Sequence, residues 1–126
     1  MATVDLTAET FGETLEREGI VLVDFWAAWC GPCRMFAPTF AAASEKHPDV
    51  TFAKVDTDAE QALAGAAGIM SIPTLMGFRD GVLVFNQAGA LSAASLDQVV
   101  QAIRDLDMDK IHAEIAAQAS ATAQAD

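Results

Sequence analysis

Cys30 and Cys33 are the only cysteines among 126 residues, and Gly31-Pro32 alone separates them. Two thiols this close along a chain can join only through a tight, locally strained ring, which suits a bond that cycles better than one that staples. The chemistry on offer is dithiol–disulfide exchange. With Cys30 as the N-cap of a helix starting at Gly31, its thiolate faces free backbone N–H groups and the positive end of the helix dipole, so its pKa falls below that of a free thiol. Pro32 brings neither an N–H nor a positive side chain to stabilise that thiolate, and the pair is therefore expected to act as a reductant.

Asp24, six residues before Cys30, is an acid inside the apolar run Ile20-Val21-Leu22-Val23-Asp24-Phe25-Trp26. Burial raises a carboxyl pKa. One reading makes Asp24 the group that exchanges a proton with Cys33, directly or through a water. The other makes it a strand-end carboxylate that reaches solvent or pairs with Lys54. Ile72-Pro73 precedes a further apolar stretch; proline at a strand start fits a simple boundary, and the general rarity of cis X-Pro bonds favours trans.

The elements that must hold these residues follow from patterning. Ile20 to Trp26 does not alternate and is rich in β-branched residues, as a central strand buried on both faces is. From Gly31 a helix runs to Lys46 and His47 before Pro48, with Pro38 kinking it about a turn beyond the cysteines. Upstream, Val4–Leu6 reads as a short edge strand. Thr7 caps a first helix with Phe11, Thr14 and Leu15 inward, and Gly19 serves as its left-handed stop. Downstream, Thr51–Val55 is a second buried strand and Asp56–Ala67 a helix stopped by Gly68. Thr74–Arg79 and Val82–Gln87 flank Asp80-Gly81, a hairpin turn signal. Ser92 or Ser95 caps a last helix carrying Leu96, Val99, Val100, Ile103 and Leu106 on one face. The alternation implies an α/β fold with a mixed sheet under helices. Residues 1–106 form the domain, and 107–126 an extension: a short helix with Met108, Ile111 and Ile115 in a stripe, then an Ala-rich tail fraying over 120–126.

Composition excludes several classes. Seven basic against eighteen acidic residues give a formal charge of -11, which repels nucleic acid and anionic membranes. No apolar run nears the roughly 18 residues of a membrane helix. The start has no basic and apolar leader pattern, so the expected compartment is the cytoplasm, where thiols stay reduced and a close pair is catalytic or metal-binding sooner than structural. Two cysteines with His47 and His112 lack the paired spacing of a zinc site, and no metal is expected. His47 reads as a helix-end cation and His112 as a surface residue.

With these residues in place, the chain resembles thioredoxin. The resemblance rests on Asp24-Phe25-Trp26-Ala27-Ala28-Trp29-Cys30-Gly31-Pro32-Cys33, Pro38, Lys54-Val55-Asp56, Ile72-Pro73-Thr74, Asp80-Gly81 and Gly89-Ala90-Leu91, in the family's order and spacing over about residues 3 to 106. It implies a five-stranded mixed sheet in the order 1-3-2-4-5 flanked by four helices, and a cis Pro73 facing the disulfide. Trp29, Gly31, Pro32, Ile72, Pro73 and Gly89 would border an apolar groove for substrate polypeptides, with Lys54 near Asp24. The implied mechanism is attack by Cys30 on a target disulfide, then resolution of the mixed disulfide by Cys33 with help from Asp24. Thioredoxin reductase, drawing on NADPH, would restore the dithiol, so no bound cofactor is implied. Family targets include ribonucleotide reductase, peroxiredoxins and methionine sulfoxide reductase, and a monomer is expected.

Three positions depart from the family pattern: Gly77 within a strand where a bulky apolar residue is usual, Met70-Ser71 where a basic residue is frequent, and Arg34 for the common lysine. A redox-independent binding or chaperone module is the rival of a different class, and an oxidase or isomerase the rival within the enzyme class.

Overall fold

The computed structural model describes residues 2–125, with ten elements that alternate strand and helix as far as the fourth strand. They are β1 (Thr3–Asp5), α1 (Ala8–Leu15), β2 (Ile20–Trp26), α2 (Gly31–Lys46), β3 (Thr51–Asp56), α3 (Gln61–Ala66), β4 (Thr74–Arg79), β5 (Val82–Ala88), α4 (Ala93–Arg104) and α5 (Met108–Ala125). The sheet order is β1-β3-β2-β4-β5, as the resemblance implies. β2 is central, parallel to β3 and antiparallel to β4, which explains its unbroken apolar sequence: it is covered on both faces.

Side chains alternate across β2 and so divide the core. Ile20 and Leu22 meet Phe36 and Phe40 of α2 and Leu96, Val100 and Ile103 of α4 on one face. Val21, Val23 and Phe25 meet Phe11 and Leu15 of α1 and Leu63 of α3 on the other. By this parity Asp24 projects to the α2 side. The two helical layers therefore differ in role: the α2/α4 layer carries the cysteine pair, and the α1/α3 layer closes the back.

Several local expectations need correction. α1 ends at Leu15, and Gly19 (φ +88°) belongs instead to the turn into β2, where its N–H donates to Asp80 Oδ1 at 2.7 Å and its carbonyl accepts from Asp80 N–H at 2.9 Å. α3 begins five residues later than Asp56. Asp56 completes β3 and its carboxylate accepts from the N–H groups of Asp58 and Ala59, which fixes a turn before the helix starts. At Gly77, by contrast, a Cβ would lie 2.8 Å from Ile103 Cδ1 and 3.2 Å from Leu22 Cδ2, so the missing side chain lets α4 approach the sheet closely. Past the α4 stop, α5 is a continuous helix through Ala125, where the composition reads as a short helix with fraying over 120–126. Ala, Gln and Glu are strong helix formers, and Met108 is the buried foot of this helix. Asp126 lies outside the described residues.

Candidate functional site

The site forms where β2 ends and α2 begins. Cys30 occupies the N-cap of α2 with extended backbone (φ −85°, ψ 115°), and its Sγ accepts the N–H of Cys33 at 3.2 Å. Pro32 sits in the first turn, where its missing N–H costs nothing. The bend before the helix is held twice, by Cys30 N–H donating to Ala27 O at 3.2 Å and by the Arg34 guanidinium donating to Ala28 O at 3.0 Å. Cys30 and Cys33 are joined as a disulfide with their Cα atoms 5.2 Å apart. Both are buried, packed with Ala27, Trp26 and Ile72.

Asp24 is fully buried, and neither carboxylate oxygen has a hydrogen-bond partner among the described residues. Of the two readings of this acid, the solvent-reaching strand end is excluded. Its pKa is pushed up to about 6 by desolvation, a rise the nearby Lys54 ammonium opposes. Lys54 is the cross-strand neighbour of Asp24 on β3, yet its Nζ lies over the Trp26 ring, 4.7 Å from the centroid, and makes no ion pair with the acid. A buried carboxyl without a partner is costly to stability.

The second wall is the segment before β4. The Ile72–Pro73 peptide bond is cis, as the resemblance implies and against the general frequency of X-Pro bonds. Ile72 O lies 3.7 Å from Cys30 Sγ. Gly89, with φ +102°, donates its N–H to Pro73 O at 2.8 Å and so ties the end of β5 to this wall. Trp29, 68% exposed, stands on the opposite side with its indole N–H 3.3 Å from Asp58 Oδ1. A groove of about 360 Å³ runs between Trp29, Thr57, Met70 and Ile72. The structure thus gathers Trp29, Gly31, Pro32, Ile72, Pro73 and Gly89 around the cysteines. Pro38 lies further along α2, inside the helix, where it leaves the Arg34 carbonyl without a helical donor.

Sequence reasoning missed Asp58 and Thr57 at this site, and it marked Met70 only as a departure from the family pattern. Asp58 carries the signal that was available, an acid just past the end of a strand next to the one that carries the cysteines. Thr57, whose N–H and hydroxyl both donate to Trp26 O, carries none, because contact across 31 residues leaves no local pattern. Among the described residues no group of three or more His, Cys, Asp or Glu side chains is set to hold a metal, and no helix is long and apolar enough to cross a membrane.

A disulfide-bonded Cys-x-x-Cys pair at a helix N-terminus, over a mixed α/β sheet, fits a thiol-disulfide oxidoreductase. The sequence profile of the family described as thioredoxin matches residues 2–102. A Streptomyces coelicolor protein named "Putative thioredoxin 2" is 50% identical over 117 residues, covering 93% of this chain and 87% of that protein. The Bacillus subtilis thioredoxin is 41% identical over 101 residues, covering 79% and 96%. Among solved structures, a mutant thioredoxin from Halobacterium salinarum superposes with a TM-score of 0.76 at 33% identity, covering 82% of this chain and 92% of that one. The chain belongs to the thioredoxin family and is a protein-disulfide oxidoreductase.

Proposed function

We propose that this protein works in the reducing direction, delivering two electrons from its dithiol to disulfides of other proteins. The observation that carries the direction is Pro32 in the first turn of α2, which adds neither an N–H nor a charge to steady the thiolate, while Cys30 Sγ at the N-cap receiving the Cys33 N–H makes Cys30 the attacking sulfur. Backbone donors and the helix dipole favour a thiolate there, an effect for which thioredoxins are the reference case. The Cys30 thiolate attacks one sulfur of the target disulfide. That S–S bond breaks, the other target sulfur leaves as a thiolate and takes up a proton, and a mixed disulfide joins Cys30 to the target. Cys33 then gives its proton to the Asp24 carboxylate and attacks Cys30 Sγ. The bond between Cys30 and the target breaks, the target sulfur it held leaves as a thiolate and takes up a proton, and the Cys30–Cys33 disulfide remains. A carboxyl with a pKa of about 6 is ionised at neutral pH yet basic enough to take a proton, which supports this role for Asp24.

Trp29, Gly31, Pro32, Ile72, Pro73 and Gly89 form the apolar groove against which the target polypeptide lies. Lys54 moderates the pKa of Asp24, and Pro38 shapes α2. No bound cofactor takes part: a separate thioredoxin reductase, using NADPH, returns the disulfide to the dithiol. Disulfide-forming enzymes such as ribonucleotide reductase, peroxiredoxins and methionine sulfoxide reductase are the targets in kind, and the protein acts as a cytoplasmic monomer.

The test is reduction of insulin disulfides with NADPH and a bacterial thioredoxin reductase, run beside Cys33→Ser. Turnover is expected for the wild type. The variant should have none and should instead hold targets through Cys30. Absence of wild-type turnover, or trapping only by Cys30→Ser, contradicts the reading. Cellular activity that survives loss of both cysteines would mark a binding or chaperone module instead.

A further inference from the structure

Four methionines fall among the described residues, and they divide sharply by exposure. Met76 and Met108 are 5% and 8% exposed, whereas Met35 is 77% and Met70 is 95% exposed. A methionine side chain left almost wholly in water forgoes most of its apolar burial, and its thioether sulfur is open to any oxidant in solution.

The position of Met70 gives that exposure a consequence. It stands on a ridge between two grooves, one of about 360 Å³ shared with Trp29, Thr57 and Ile72, the other of about 140 Å³ shared with Thr74, Asn86 and Ala88. It lies two residues before Ile72, whose carbonyl is 3.7 Å from Cys30 Sγ, and three before the cis Pro73. A polypeptide that brings a disulfide to Cys30 across this wall crosses the Met70 side chain. Met35, on α2, lines neither groove. The molecule thus holds two oxidisable thioethers, one on the path of a docking chain and one off it.

We propose that Met70 is a methionine-sulfoxide site whose oxidation weakens the docking of protein disulfides while leaving the cysteine chemistry intact. The inference rests on the reading of the groove as the docking surface. The oxidant belongs to the peroxide class. The Met70 sulfur attacks one peroxide oxygen and forms an S–O bond as the O–O bond breaks; the thioether is oxidised by two electrons to the sulfoxide, and hydrogen peroxide is reduced to water. The flexible apolar side chain becomes a polar one with a strong acceptor oxygen, on a surface whose value to a partner is its apolar contact. Oxidising conditions, under which the protein's own disulfide accumulates, then also lower its affinity for new targets. The sulfoxide is reversible by enzymatic reduction, so the device is a switch rather than a lesion.

The test treats the disulfide form with hydrogen peroxide, regenerates the dithiol with dithiothreitol, maps methionine oxidation by peptide mass spectrometry, and measures kcat and KM for insulin and for a small aromatic disulfide. Met70 should gain one oxygen first, with Met35 next and Met76 and Met108 last. KM for insulin should rise about threefold with kcat unchanged, since only apolar docking is weakened, and the small disulfide should react as before. In Met70→Leu the same treatment should leave KM at that variant's own untreated value, while Met35→Leu should not protect. Met70→Gln should raise KM without oxidant. Oxidation of Met70 no faster than Met76, or a KM rise that persists in Met70→Leu, overturns the proposal. Normal insulin turnover with a KM indifferent to Met70 oxidation overturns this proposal alone, whereas no turnover by untreated protein overturns the underlying reading as well.

Discussion

Two aspartates at opposite ends of the α2/α4 layer have been treated in opposite ways. Asp97, on α4, is half-exposed and fully partnered: Lys46 Nζ reaches Oδ2 at 2.6 Å and His47 Nε2 reaches Oδ1 at 3.1 Å. Around it the polar groups continue in a closed chain, with Arg104 donating to His47 Nδ1 at 3.2 Å and to Asp49 Oδ1 at 2.7 Å. Because arginine only donates, Nδ1 accepts in that contact, and Nε2 is the nitrogen that faces Asp97. Asp24, in contrast, is fully buried and has no hydrogen-bond partner among the described residues. The hydrogen bonds from Lys46, then His47, hold the Asp97 carboxyl below its usual range, while desolvation lifts Asp24 to about 6. The same chain that satisfies one acid with two donors, Lys46 and His47, leaves the other bare beside a lysine that turns to an indole ring. A fold able to pair its acids has withheld pairing at the redox end, and that difference supports the proton-exchange role proposed for Asp24.

The largest expected effect on stability comes from Asp24. Its folded pKa lies above the unfolded value of 3.8, so the unfolded state binds fewer protons between the two values and stability falls as pH rises from about 4 through about 6. Below pH 4 both states are protonated and the cost vanishes; above pH 7 it is complete, at about 3 kcal/mol. Denaturant melts at pH 4 and pH 8 should therefore diverge for the wild type by that much more than for Asp24→Asn. Parallel shifts in the two proteins would mean that Asp24 is not the uncompensated acid.

A middle-sized effect, in the same layer but away from both acids, is expected at Gly77. Adding a side chain there drives into Ile103, Leu22 and Phe85, so Gly77→Val should cost about 2 kcal/mol in chemical denaturation while leaving the rate of small-disulfide reduction unchanged. The smallest is Asp97→Asn. Its folded pKa is lowered, so its contribution is present above pH 4 and lost as pH falls below it. The melting temperature at pH 7 should drop slightly, less than with Gly77→Val, and insulin turnover should be unchanged. A turnover defect in Asp97→Asn would erase the distinction between the two ends.

The redox end was the most legible part of the chain. A continuous apolar strand, an N-capping cysteine and Gly-Pro are local signals, and the bounds of β2 and α2 follow from them directly. Local rules spoke less clearly where a side chain elsewhere decides the backbone. Gly19 has the left-handed φ of a helix stop, but Asp80, 61 residues away, recruits it into a turn. Asp56 looks like the start of a helix, yet its carboxylate holds the following turn first. Asp24 stood out in sequence as an acid in an apolar run, but its lack of a partner could be learned only from where Lys54 points. Met70 stood out in sequence only as a departure from the family pattern, and its 95% exposure could be learned only from the packing.

The most direct measurement is the rate at which the Cys30 mixed disulfide is resolved by Cys33, followed from about pH 5 to 9 in the wild type and in Asp24→Asn. The expected result is a wild-type rate that climbs through about pH 6 as Asp24 ionises, and a variant that lacks this rise and is slower by about 100-fold at neutral pH, the first attack by Cys30 being unchanged in both. Superimposable profiles for the two proteins would contradict a proton-transfer role and leave Asp24 a structural acid.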